Sequence, residues 1–288
     1  MDSSSRRLAV LPLAVVAVSF GAILVRLSSE ASPLAISAWR LTLAALAFSP
    51  FALRDRSLRT IPRRTFALCA LSGGFLALHF ILWITSLRHT SVASSVVLVS
   101  TSPIFVAIGS SLFLRERPSR RVVGAVVVSL AGVVLISLAG LREGGSSAGG
   151  DLMALGGAIM ASGYFLAGRR VRQSLPLRVY AFLTYACAAV ILLVVCLVAR
   201  QALVGFTART TLFLVLLALG PQVIGHSTFN WALRYLPAST IALITLAEPI
   251  GSALLAFLIL GEGITPLKGA GGLLILVGIY LGLPRGRR

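Results

Sequence analysis

The 288 residues are 57% hydrophobic and only 12% charged, with a mean hydropathy of +0.97; a soluble globular chain carries roughly 25% charged residues, so this composition is that of an integral membrane protein. The formal net charge of +18 comes from 26 Lys and Arg against 8 Asp and Glu. Such a charge invites a nucleic-acid reading, but bases also gather in the cytoplasmic loops of multispanning proteins, and their positions decide between the two.

A bilayer core about 30 Å thick takes roughly 20 apolar helical residues per crossing. Ten such runs follow one another, near 8–27, 34–53, 65–87, 92–114, 121–141, 151–169, 178–199, 210–233, 239–260 and 267–283. Ser32-Pro33, Ile61-Pro62, Arg117-Pro118, the glycine-serine stretch 144–150, Leu236-Pro237 and Thr265-Pro266 punctuate them. The first run follows Arg6-Arg7 and ends at Arg26-Leu27-Ser28 without an A-x-A cleavage pattern, so it reads as a first span rather than a signal peptide. With ten spans and a cytoplasmic N terminus, 19 of the 26 bases fall on the cytoplasmic side. That asymmetry predicts a multi-pass protein of the cell membrane with both termini in the cytoplasm. The charge then records orientation, and its partners are lipid headgroups rather than nucleic acid. Cys69, Cys187 and Cys196 lie inside apolar runs and offer no disulfide framework or metal spacing; no metal or cofactor is expected.

Shifting the chain by 146 residues aligns its halves. LRHTSVASS at 87–95 overlies LRYLPASTI at 233–241, Ser102-Pro103 overlies Glu248-Pro249, and Leu114-Arg115-Glu116 overlies Leu260-Gly261-Glu262. Gly74 falls on Gly220 and Gly132 on Gly278. Five spans per half, an odd number, force the second copy to enter the membrane inverted. The expected fold is an all-α membrane protein of ten transmembrane helices in two inverted five-helix repeats, 1–141 and 151–288. Inverted repeats are a recurrent plan of secondary transporters, with the substrate near the midplane between the halves; a duplication that merely stabilises a bundle is the competing reading.

The segment LRHTSVASSVVLVSTSPIFVAIGSSLFLRERPS, matched by LRYLPASTIALITLAEPIGSALLAFLILGEGIT, resembles the paired EamA domains of the drug/metabolite transporter superfamily. The resemblance rests on the small-residue helix after each LR pair, the mid-helix proline, and the closing Glu116 and Glu262. It implies a ten-helix transporter with a central cavity lined by the first four helices of each half, helices five and ten as peripheral scaffold, and export of small metabolites such as amino acids or related compounds.

Charges at membrane depth are costly and usually face a cavity or a partner. Glu248 lies about 14 Å into the ninth run at 1.5 Å per residue, on one face with Thr245 and Ser252. Arg40 lies in the second run, after Trp39. One reading makes Glu248 a proton or amine site and Arg40 a carboxylate anchor; the other has them neutralise each other or cap unwound backbone beside Pro249. Gln222, His226 and Asn230 recur every four residues along the eighth run, a polar stripe facing protein or water, with interhelical hydrogen bonding as the alternative. His79 aligns beside His226. Tyr164 is the aromatic expected at a cavity, with Trp39 and Tyr185 as further candidates, whereas Trp83 and Trp231 near span ends read as interfacial. The substrate-binding set is therefore Arg40, His79, Tyr164, Gln222, His226, Asn230 and Glu248.

Pro103 and Pro249 predict bends at matching depths. Ser91, Ser95 and Ser102 line one side of helix four, and Gly278-x-x-x-Gly282 permits close packing, internal or in a homodimer. Monomer and homodimer both fit. Glu116 and Glu262 read as solvated boundary charges. No H-E-x-x-H occurs, no two acids lie within seven residues of each other, and there is no glycine-rich phosphate loop. A membrane enzyme acting on a lipid-linked substrate, or an uncoupled channel or scaffold, is therefore the alternative to a secondary transporter of small molecules, possible proton coupling included.

Overall fold

The computed structural model describes residues 9–90, 95, 98–140, 147–260 and 263–283. Ser91 and Glu262 lie outside the described residues. The described chain is helical, without strands: α1 Leu11–Leu27, α2 Pro33–Leu53, α3 Arg63–His89, α4 Ser102–Gly109, α5 Arg120–Gly140, α6 Ala148–Arg172, α7 Leu177–Val198, α8 Ala208–Ala232, α9 Ala238–Thr245, α10 Glu248–Leu260 and α11 Pro266–Gly282. Six stretches are long and apolar enough to cross a bilayer, one of them Ala238–Ile259, which runs through the α9–α10 break; Leu11–Leu27, Ser102–Leu114 and Pro266–Gly282 are shorter apolar helices.

Helix starts sit where the Ser, Thr and Pro punctuation placed them. Ser32 accepts from the Ala35 N–H, Thr207 from Thr210 and Thr265 from Lys268, satisfying backbone donors that a helix leaves orphaned at its first turn. Proline follows the cap at 33 and 266, where its missing N–H costs nothing.

The runs expected to be continuous at 92–114 and 239–260 are interrupted. Turns at Ser100-Thr101 and Leu246-Ala247 fall immediately before α4 and α10. Three-residue hydrogen bonds replace the helical pattern there: Thr101 N–H to the Leu98 carbonyl at 3.2 Å, Ala247 N–H to Ile244 at 3.1 Å. The proline lies in the first turn of each following helix, so the predicted bend becomes a break just upstream of it. A residue preceding proline is pushed out of the helical region, and proline itself starts a helix better than it continues one. A second irregularity lies in α8, where Ala218–His226 is π-helical around Pro221.

Helices α3 and α6 pack together, as do α2 with α7, α5 with α11, and α1 with α8 and α10. Small residues permit the α5–α11 approach. A methyl group built on Gly278 would lie 2.8 Å from the Ala125 carbonyl oxygen, and one on Gly132 2.9 Å from the Ile275 backbone nitrogen. Gly278 and Gly282 pack inside the chain against α5 and Leu243.

One end of the bundle gathers arginines. Arg178 pairs with Asp55, and Arg169 pairs with Glu116 at 2.7 Å while donating to the Leu233 carbonyl, also at 2.7 Å. Glu116 is therefore an ion-paired, partly buried residue rather than a freely solvated boundary charge; its partner lies 53 residues away, beyond local inspection. The Ser57 backbone N–H holds the Asp55 carboxyl below its usual range. At the opposite end Arg88 donates to the Ser29 and Ala31 carbonyls, and Glu30 accepts from the Thr207 N–H and hydroxyl at 3.0 Å each. Ser95, predicted on a packing face, bonds Ser86 at 2.7 Å.

After α4 the chain makes a π turn, Ser110–Leu114, and then Arg115 adopts φ 57°, the left-handed region that suits glycine. Arg115→Gly is expected to stabilise the folded state by about 1 kcal/mol, read as a rise of a few degrees in the detergent melting temperature; a fall would show that the arginine side chain contributes more than its backbone costs.

Candidate functional site

Where α4 and α9–α10 are interrupted, a cavity of about 70 Å³ opens between α1, α2, α3, α6 and α8. That is room for a few water molecules, well short of the roughly 300–1,000 Å³ of drug-sized sites. Five of the seven predicted residues line it: Arg40, His79, Tyr164, His226 and Glu248. Among the described residues, α5 and α11 contribute none to the wall.

Arg40 projects from α2 and is 2% exposed. A guanidinium in such surroundings needs acceptors and polarisable contacts. Its Nε donates to Gln222 Oε1 at 2.7 Å, and its plane covers the Phe80 ring at 4.1 Å, a cation–π contact. Its Nη1 is buried without a partner among the described residues. Glu248 is the first residue of α10, and a carboxylate is favoured at a helix start. That helix is pinned to α1 by Ser252, whose hydroxyl donates to the Ser19 carbonyl at 3.1 Å. Arg40 and Glu248 line the same cavity with no ion pair within 4.0 Å between them, and each lies in the electrostatic field of the other.

The Nδ1 of His79 donates to the Gly157 carbonyl at 2.9 Å. A carbonyl only accepts, so this bond fixes the proton on Nδ1 and leaves Nε2 as an acceptor in the neutral ring. His226 packs its ring against Phe80 at 5.6 Å and Tyr164 at 6.2 Å, and its Nδ1 is buried without a partner among the described residues. The two imidazoles thus share one wall.

Gln222 and Asn230 stand one layer behind. Gln222 orients Arg40, while the Asn230 amide donates to the Tyr164 hydroxyl at 2.5 Å and to the Tyr185 hydroxyl at 3.1 Å. Tyr185 continues to Ser227 at 2.9 Å. The four-residue stripe on α8 does not present a single face, because the π segment ends between its members and changes the angular step along the helix. Trp39 points away and donates to the Leu203 carbonyl at 2.8 Å.

Trp83, read as interfacial, is 6% exposed and lines the cavity with Phe80, Phe165 and Phe229. It follows His79 by four residues, one helical turn along the same face of α3; that spacing was the available signal. Trp231 packs its ring at a tilt against Tyr235 near the arginine-rich end and is not among the residues lining the cavity.

The EamA-like transporter family matches the chain twice, over residues 8–138 and 148–283. The uncharacterized transporter YwfM of Bacillus subtilis (strain 168) is 26% identical over 255 residues, 88% of this chain and 84% of that protein. An uncharacterized transporter of Archaeoglobus fulgidus is 26% identical over 215 residues, 74% of this chain and 73% of its own length. A solved crystal structure shares the fold at a TM-score of 0.81 and 20% identity, with 96% of each chain covered. Matched over nearly its whole length, the chain belongs to the EamA-like transporter family and is a multi-pass membrane transporter.

Proposed function

We propose that this transporter exports small carboxylate-bearing metabolites, amino acids or close relatives, by alternating access of the Arg40–Glu248 cavity, with a proton as the coupling ion. The observation that carries the reading is the pair of opposite charges at one cavity, with no ion pair within 4.0 Å joining them. Arg40 anchors the carboxylate through a guanidinium edge that suits planar anions. Glu248 and the Nε2 of His79 accept from the ammonium group, and Glu248 takes a proton when that group is absent. The export direction follows the family resemblance.

Residues 1–141 and 151–288 act as inverted repeats in this reading. Its support is the recurrence of features 146 residues apart: the breaks at Ser100-Thr101 and Leu246-Ala247, and the reciprocal contacts of Gly132 with Ile275 and Gly278 with Ser129. A cavity of about 70 Å³ is small beside drug-sized sites, and the two breaks are where the chain can bend as the halves part to load it. The arginine-rich end faces the cytoplasm and its anionic lipids. A monomer suffices, since the cavity is built within one chain.

Counterflow tests the reading. Proteoliposomes preloaded with an unlabelled amino acid are expected to accumulate the labelled one transiently and saturably, more strongly with an imposed pH gradient. Flux without counterflow would mark a channel, and a chemically altered product without vectorial movement would mark an enzyme.

A further inference from the structure

Resting on the alternating-access reading, we propose that Arg172 and Arg169 are the gate between the cavity and the arginine-rich end and that Arg88 is the gate at the opposite end. The first holds more tightly, so the carrier without ligand opens toward Arg88.

Six helices around the cavity fall into two groups. Helices α3, α4 and α6 pack together, as do α1, α8 and α10. Carboxylates tie each group within itself: in the first, Asp151 accepts from the Thr90 hydroxyl at 2.6 Å and Glu116 pairs with Arg169; in the second, Glu30 accepts from Thr207. Between the groups the ties are of another kind, side chains of one reaching backbone carbonyls at a helix C terminus of the other. From α6, Arg172 donates to the Asn230 carbonyl at 3.0 Å, while Arg169 and Gln173 donate to that of Leu233 at 2.7 and 3.3 Å. From α3, Arg88 donates to the Ser29 and Ala31 carbonyls, just past α1, at 3.3 and 3.2 Å.

The last carbonyls of a helix lack intrahelical donors and carry partial negative charge, which suits a guanidinium. At the end of α8 the carbonyls of Phe229, Trp231 and Ala232 accept later backbone N–H groups; Pro237, four residues after Leu233, has no N–H to give. Helix α6 takes Asn230 and Leu233. Under the 146-residue shift α1 overlies α6 and α3 overlies α8, so the same pair of helices closes both ends.

The tie at the arginine-rich end reaches the cavity itself. Asn230, whose carbonyl holds Arg172, gives its amide to the Tyr164 hydroxyl on the cavity wall. From Tyr164 to Arg172 α6 advances about 12 Å at 1.5 Å per residue, and the seam with α8 covers that path. Among the described residues the two gates are unequal. Arg172 is 2% exposed and is fixed by a second bond, to the Leu175 carbonyl, whereas Arg88 is exposed. A charge-assisted bond out of water is stronger than one that competes with solvent, so the Arg88 end parts first.

A single thiol on the cavity wall reads both gates. In a chain with its three cysteines changed to serine, Ala161→Cys lines the cavity, and membrane-impermeant maleimide is applied to right-side-out and inside-out vesicles. Without ligand, labelling from the outer face is expected to be the faster. Arg172→Met keeps the length and loses the donors; it should raise labelling from the cytoplasmic face about tenfold, the scale of one hydrogen bond to a charged group. Arg88→Gln should do the reverse and lower cytoplasmic labelling severalfold. An arginine that only stabilised the fold would change both faces alike. If Arg172→Met folds poorly, Arg169→Gln at the partly exposed end of the seam should shift the ratio the same way. Faster cytoplasmic labelling in the parent chain, or a ratio between the faces that the arginine variants do not move, would overturn this inference alone. A parent chain labelled from one face only under every gradient and ligand condition would sink the alternating-access reading beneath it.

Discussion

Gly278→Leu is expected to yield no monodisperse protein in detergent, and Gly278→Ala to fold with a markedly lower melting temperature. The Cβ position on Gly278 meets the Ala125 carbonyl at 2.8 Å and the Ser129 backbone nitrogen at 2.9 Å, in addition to the Ser129 hydroxyl. A flexible side chain could move aside, but a helix backbone cannot, so α5 and α11 must separate. Overpacking by even a methyl group costs roughly 1–3 kcal/mol, a large share of a total stability of about 5–15 kcal/mol, and leucine adds three further carbons. Gly132→Leu should behave alike, facing the Gly271 carbonyl and the Ile275 nitrogen. Gly124→Leu is the control, since a Cβ there meets nothing within 4 Å. Size-exclusion profiles of the three variants decide the matter: a sharp peak for Gly278→Leu like that of Gly124→Leu would contradict the packing described.

Arg40→Ala should reduce transport about thirtyfold or more while the protein remains folded. Truncating one partner of a buried, charge-assisted contact costs roughly 2–5 kcal/mol. Arg40→Lys is expected to rescue little. A lysine ammonium is a point donor without the planar fork that serves Gln222, the Phe80 face and a ligand at once. Glu248→Gln makes a different prediction. The amide keeps the size and a hydrogen-bonding oxygen but neither charge nor a titratable proton, so counterflow should persist weakly while acceleration by a pH gradient disappears. Flux in Glu248→Gln that still follows the pH gradient would move proton coupling elsewhere. Melting temperatures near that of the unaltered protein confirm that each loss is functional.

Membrane depth alone brought out Arg40 and Glu248, because a charge in hydrocarbon needs a reason wherever its neighbours lie. The breaks before Pro103 and Pro249 were approachable from the same physics, as proline acts on its own backbone and on the residue before it. Features that depend on a neighbour from another helix were not legible. Glu116 looked solvated because its partner Arg169 comes from another helix, α6, 53 residues away. Trp83 looked interfacial by its place near a span end, although α3 extends to His89 and keeps that turn inside the bundle. Gln222 and Asn230 shared a stripe with His226 only on an ideal helix, and the π segment sent them to a second layer. Gly278 marked close packing, while which helix it met depended on the tertiary arrangement.

Alternating exposure of the Arg40–Glu248 cavity can be measured from its wall. Ala161 lines the cavity and is 8% exposed; Ala161→Cys, in a chain with Cys69, Cys187 and Cys196 changed to serine, gives one thiol to report on it. Membrane-impermeant maleimide applied from either side of sealed vesicles should label this cysteine, with leucine slowing the reaction from both sides. Labelling from one side only under every gradient and ligand condition, or labelling that leucine does not alter, would contradict a substrate cavity that opens alternately to the two faces of the membrane.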